Sequence, residues 1–290
     1  MGNYDMLVRA GVAKAGMDVD CNFILQGVSR TDIEGQIQML ENAVAAGADA
    51  VIITVVDREA VAGAVSEAYR AGIPIVLAEI LANTEDFSAY LMVDSFNAGS
   101  AAAAEMLIKL KNTDLLEDDY AEIAVQIGAS GSQTILERLE GFKAYWNENA
   151  PPQWVVLWDD VRVNDGDIEK ATEIGHEFLE KYPNLKALFA PNSGSTIGFA
   201  AALKESNRTD VTLIGFDFDK LTEELIRNEE FNVSTLLRHE FELGYESMII
   251  ALDLANGGTV VEKIIDMGVF AVDINNIDNP EMQLWIHGSW

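Results

Sequence analysis

The residues best suited to chemistry in this chain stand where its apolar runs end. Ala187–Ala190 leads to Asn192, and Val211–Phe216 leads to Asp217, with a helical pattern over Ser193–Glu205 between them. Strand, helix and strand in so short a span form a βαβ unit, which implies a parallel pair with a right-handed crossover. Ligands of such sheets sit beyond the carboxyl ends of the strands. There Asn192 offers a donor and an acceptor, and Asp217 offers acceptors, which suits hydroxyl recognition. Both positions also suit helix N-caps, and a cap and a ligand contact can coexist. Arg138, three residues before Gly141-Phe142, and Arg238, after an apolar run, either point into a cleft or pair with surface acids. Trp158, near a strand end, and Tyr4, at the start of the first helical pattern, carry ring faces for stacking on a sugar or for plain packing.

Other chemistries are poorly supported. The 290 residues carry 48 acids against 19 bases, a net charge of −29. Such a surface repels phosphate backbones and argues against nucleic-acid binding. Cys21 is the single cysteine, and His176, His239 and His287 are far apart, so no metal-ligand spacing exists and no cofactor is expected. Gly128-Ala-Ser-Gly131 lacks the third glycine of a dinucleotide fingerprint and reads as a tight turn. No nucleophile elbow or Ser-His-Asp set can be assembled. Glu79, Asp159, Asp160, Asp217 and Asp219 could supply the carboxylate pair of a glycosidase. Among 48 acids such pairs arise by chance, so no catalytic residue is assigned. No apolar run is long enough to span a membrane.

The elements that must hold these residues alternate. Helical spacing covers Tyr4–Gly16, Asp32–Ala46, a segment capped by Asp57 and ending at Ala71, and Asn97–Lys111. Strands are expected at Asn22–Leu25, Ala50–Val56, Ile73–Leu77 and Tyr90–Val93. The alternation restarts after an acidic loop, Asn112–Tyr120. Strands then fall at Ala121–Ile127, Trp154–Trp158 and Val233–Leu237, helices at Ser132–Asn149, Asp167–Lys181, Leu221–Asn228 and Glu242–Ala255, and a strand-like tail over Val261–Val272. This order predicts two parallel α/β blocks, before and after about Asp94.

Seven short stretches, in order, resemble the ribose-type periplasmic sugar-binding family, whose fold is shared by the effector domains of LacI-type repressors. They are Asp32–Gln36 with Ala45–Ile53, Arg70–Val76, Val93-Asp94-Ser95 with Gly99, Arg138–Phe142, Asn192 with Gly198, Gly215-Phe216-Asp217, and Gly244-Tyr245. The resemblance implies two doubly wound parallel-sheet domains, 1–94 with 239–264 and 95–238 with 265–290. They would be joined by a three-segment hinge, with the ligand cleft between them. It implies ligand roles for Arg138, Asn192 and Asp217, and places Asn3, Tyr4, Glu79, Trp158 and Arg238 in the same substrate-binding set. The implied function is delivery of a monosaccharide or polyol to the membrane permease of an ABC-type importer. That implies a periplasmic or extracellular location, with no export signal in this chain. The alternatives are a sensor ectodomain or its partner, and, behind it, a carboxylate-dependent glycoside hydrolase.

The chain departs from the family pattern. Glu79-Ile80 stands where ribose binders have Asp-Arg, Ser193 where Asp follows the asparagine, Val55 where a proline follows the strand, and Arg238 where Gln is usual. The family's first strand, which would lie between Asn22–Leu25 and Ala50–Val56, has no counterpart before Asn3. The expectation is a native product that begins earlier, or else a rearranged first sheet.

Overall fold

The computed structural model describes residues 3–29 and 31–287, apart from the side chains of residues 3–5, 284 and 287. The chain divides into two compact units. One holds the residues up to Val93 together with His239–Gly268; the other holds Asp94–Arg238 and Val269–Ile286.

In chain order, the first unit begins with α1 (Asn3–Asp18), α2 (Ile33–Ala45), β1 (Val51–Ile53), α3 (Ala62–Arg70), β2 (Ile75–Ala78) and β3 (Ala89–Met92). The second follows with α4 (Ser95–Lys111), β4 (Ala121–Ile127), α5 (Gln133–Asn149), β5 (Trp154–Val156), a 3₁₀ turn (Trp158–Asp160), β6 (Arg162–Val163), α6 (Ile168–Lys181), β7 (Leu185–Phe189), α7 (Ser193–Ser206), β8 (Thr212–Phe216), α8 (Lys220–Arg227) and β9 (Val233–Arg238). The chain returns to the first unit for α9 (Glu240–Ala255) and β10 (Ile264–Asp266), then completes the second with β11 (Val269–Val272) and α10 (Pro280–His287).

The first unit carries a four-stranded sheet in the order β1-β2-β3-β10, parallel throughout. β2 is buried along its whole length, and its alternate residues feed two cores. Ile75 and Leu77 pack with the α2 and α3 side, and Val76 and Ala78 with Val8 and Leu243. Helix α1 lies against α9 at close range: a Cβ on Gly11 would strike the carbonyl of Phe241, and one on Gly244 the carbonyl of Val8. α2 starts where Asp32 accepts the Gly35 N–H, and glycines in the left-handed region follow α2 and α3 (Gly47 φ 74°, Gly72 φ 92°).

Several expectations for this unit are corrected. Asn22–Leu25 forms no strand: among the described residues no strand pairs with the outer edge of β1, so these residues have no ladder to join. Phe23 packs against the cluster of Val12, Ala15 and Met248, and Ile24 is 84% exposed. The strand expected over Ala50–Val56 is three residues long, because Gln36 closes the edge beyond it. Its side-chain amide donates to the Thr54 carbonyl and accepts the Val56 N–H, both at 2.9 Å. Asp57 caps a turn by accepting from Glu59 and Ala60, and the α-helix begins only at Ala62. The tail splits at Gly268 (φ 67°) into β10 and β11, which belong to different sheets.

The second unit carries the larger sheet, ordered β11-β9-β8-β7-β4-β5, with β6 also paired to β4. Every pair is parallel except β11 with β9. The chain winds from β4 to β5 on one side and then places β7 on the other side of β4. The boundary between β4 and β7 is therefore the switch point of this sheet, where a crevice opens at the carboxyl ends of the strands.

Candidate functional site

Side chains of the second unit gather at that switch point. β4 ends at Ile127, and Gly128 donates its N–H to Oδ1 of Asn192, just past β7, at 2.9 Å. The same oxygen accepts the Ser195 hydroxyl at 2.8 Å, and Ser195 in turn accepts Asn164 Nδ2 at 2.8 Å. Asn164 and Ser195 are fully buried. The asparagine amide is thus fixed with its carbonyl turned inward, and Nδ2 has no hydrogen-bond partner among the described residues. Asn192 occupies the N-cap position of α7 but makes no side-chain cap bond. Gly128 is required here, since a Cβ would lie 2.8 Å from Asn192 Nδ2.

Arg138 lies on α5 and is 7% exposed, so it is no surface ion pair. Its Nη1 donates to the carbonyl of Pro191 at 2.7 Å, and its guanidinium lies 4.0 Å over the Phe216 ring. Its Nε is buried and has no hydrogen-bond partner among the described residues. Burial lowers the Arg138 pKa to about 10, aided by the charge of Arg238 and opposed by that of Asp217. These three charges therefore act on one another at one end of one sheet. One turn beyond Arg138, Phe142 stacks on Phe189 at 4.2 Å and meets Trp158 edge-on at 6.2 Å. Trp158, in the 3₁₀ turn after β5, is half-buried, and Lys143 Nζ lies 5.7 Å from its ring. Arg238 is the last residue of β9, opposite Val269 of β11.

Asp217 follows β8 in the left-handed region (φ 65°). It caps no helix; Asp219 caps α8 instead. Its N–H donates to the Leu236 carbonyl at 3.0 Å, and its own carbonyl accepts the Thr235 hydroxyl from the next strand. Gly215 is demanded by Thr196, whose side chain fills the space a Cβ would take and whose hydroxyl bonds both the N–H and the C=O of Phe216.

In the first unit Glu79 follows β2 in the same left-handed region (φ 66°). Its N–H donates to the Leu91 carbonyl at 2.8 Å, and its carbonyl accepts the Tyr90 hydroxyl at 2.9 Å. Asn3 and Tyr4 open α1, and their side chains lie outside the described residues. Sequence reasoning missed the contacts of Phe216, Tyr90, Thr235 and the Asn164–Ser195 relay; the stretch Gly215-Phe216-Asp217 carried a signal for the first alone. It also missed a Ser-His-Glu contact: His176 touches Ser206 Oγ at 3.1 Å and Glu205 Oε2 at 2.9 Å. That contact clamps α6 to the exposed last turn of α7, where the N–H groups of Asn207 and Arg208 bond carbonyls of α7 itself and so are not available as oxyanion donors. No group of three or more potential metal ligands exists among the described residues.

The fold and this strand-end cluster define an α/β protein of the periplasmic-binding type, built from two units. Residues 2–259 match the periplasmic binding protein domain family, and the chain belongs to that family. It is 25% identical over 232 residues to the ABC transporter periplasmic-binding protein YphF of Escherichia coli K12, covering 77% of this chain and 68% of the relative. It is 25% identical over 236 residues to the ribose import binding protein RbsB of Bacillus subtilis 168, covering 81% and 72%. A sugar-binding protein of a sugar ABC transporter from Bacillus halodurans superposes with a TM-score of 0.78 at 26% identity, covering 96% of this chain and 95% of that one. The family is extracytoplasmic, and these relatives are transport proteins rather than enzymes.

Proposed function

We propose that this chain binds a monosaccharide or related polyol outside the cytoplasm and delivers it to the permease of an ABC-type importer. The reading is carried by Arg138, a nearly buried guanidinium with an unsatisfied Nε, beside Asp217 and the uncommitted Nδ2 of Asn192. A buried charge with an open donor is costly until a polar ligand completes its bonds. Arginine, asparagine and aspartate together offer the mixture of donors and acceptors that a hydroxylated ring uses. Trp158 supplies an apolar ring face, Arg238 a second cation, and Glu79, with Asn3 and Tyr4, the contribution of the other lobe. Ligand binding then favours a closed arrangement of a three-segment hinge, shifting an open–closed equilibrium. The relatives named above, transport and sugar-import binding proteins, support the transport role.

A calorimetric screen of pentoses, hexoses and inositols tests the reading. At least one should bind, and Arg138→Ala should weaken it by about 2–5 kcal/mol. Unchanged affinity in that variant overturns the assigned site. Deleting the gene in its host should abolish uptake of the identified sugar. Intact uptake with loss of a sugar-induced response would instead assign the protein to a sensor.

A further inference from the structure

Each unit builds the same backbone device at the end of one parallel strand. In the first, Glu79 follows β2 with φ 66°, its N–H bonded to Leu91 and its carbonyl to the Tyr90 hydroxyl of β3. In the second, Asp217 follows β8 with φ 65°, its N–H bonded to Leu236 and its carbonyl to the Thr235 hydroxyl of β9. In both cases an acid is held in a backbone region that side-chain-bearing residues seldom adopt, and in both the next strand supplies two bonds to hold it there. Such conformations persist where the surroundings over-determine them, and they collect at functional sites. The hydroxyl bond is the part a strand does not need: the ladder is already made by the N–H. Tyr90 is 8% exposed and Thr235 fully buried, so neither hydroxyl serves solvent. Burial raises the Tyr90 pKa, which keeps the phenol protonated and donating.

We propose that Tyr90 and Thr235 are positioning residues for ligand binding. Each hydroxyl holds the peptide that follows a strand-end acid, and so aims the carboxylate of Glu79 or Asp217 before ligand arrives. The inference rests on the proposed sugar-binding role of those two acids. Each unit then presents a preset acceptor, which calls for a ligand that offers hydroxyl donors.

The test uses the whole protein and the tightest sugar from the screen. Tyr90→Phe and Thr235→Val should each weaken binding about 3- to 10-fold, the range of one lost neutral hydrogen bond. Thr235→Ser, which keeps the hydroxyl, should bind like the parent. In a double-mutant cycle the Tyr90→Phe effect on affinity should vanish in a Glu79→Gln background and persist in Asp217→Asn, while its effect on melting temperature appears in both. A purely structural role predicts the same fall in melting temperature but unchanged affinity in Tyr90→Phe, whatever residue stands at 79. That result overturns the inference and leaves sugar binding standing. Absence of binding by the parent to every sugar overturns both.

Discussion

Replacing Arg138 with methionine should stabilise the free protein while destroying its binding. The side chain is 7% exposed, and its pKa falls to about 10 chiefly because burial disfavours the charged form. At 1.36 kcal/mol per pKa unit, that displacement is about 3 kcal/mol held against the folded state. Methionine keeps an apolar stem over Phe216 but loses the bond to the Pro191 carbonyl, which costs about 1–2 kcal/mol. The balance favours Arg138→Met by about 1–2 kcal/mol, a gain of a few degrees in melting temperature. Affinity for the sugar should fall by about 2–5 kcal/mol. Thermal scans without ligand and calorimetry with it read the two effects separately. There is also a signature in pH. A base whose folded pKa is depressed binds fewer protons folded than unfolded, so its contribution to stability rises as pH climbs above about 10. The variant should lack that rise relative to the parent. A loss of more than about 1 kcal/mol in the ligand-free variant, or undiminished binding, would refute the view that this arginine is kept for the ligand at the expense of the fold.

Three further outcomes are expected. Lys109→Met should cost about 3–5 kcal/mol, because it strands Asp273 without its 2.5 Å partner where both side chains are nearly buried. Burial alone would raise the Asp273 pKa, but the bonds from Lys109 and Asn275 outweigh it and lower the net value. The parent therefore keeps this contribution above the ordinary aspartate range and loses it as pH falls below, a slope that acid unfolding of the variant should lack. Asn192→Ala should lower stability by about 1–3 kcal/mol in denaturant titrations, since it leaves the Gly128 N–H without its acceptor and removes the Ser195 bond. Gly99→Ala should lower the melting temperature and weaken sugar binding together, because the added methyl strikes the Arg138 carbonyl and pushes α5 away from α4.

Much of the second unit was legible because its signals are local. Ser132 and Asp167 cap helices, and β4 was read to the residue as Ala121–Ile127. Four glycines of the resembling stretches in this unit proved to be places of close approach. Gly99 and Gly141 meet the backbone of α5 and α4, Gly198 meets Ala171, and Gly215 meets Thr196. The site was legible only as single residues at strand ends. What joins them was not: positive φ is uncommon for any residue but glycine, and even aspartate, which is enriched there, adopts it too seldom for Asp217 or Glu79 to announce it. Thr235 and Tyr90 read as ordinary strand residues, because the bonds they make depend on register. The first unit was misread where pairing decides the outcome. Asn22–Leu25 has the composition of a strand, but a strand exists only beside a neighbour.

The packing of α1 against α9 sets the timing of the molecule's birth. Gly11 nests against Phe241, and Val8 against Gly244, so the first helix finds its seat only in residues made more than two hundred positions later. At ribosomal rates of about 5–20 residues per second, that is a wait on the order of 10–50 seconds. Throughout it the first unit lacks both α9 and the edge strand β10, and its apolar faces stay uncovered. Contacts so distant in sequence also close slowly once the chain is complete. The first unit of such a polypeptide therefore stays incomplete for most of its synthesis.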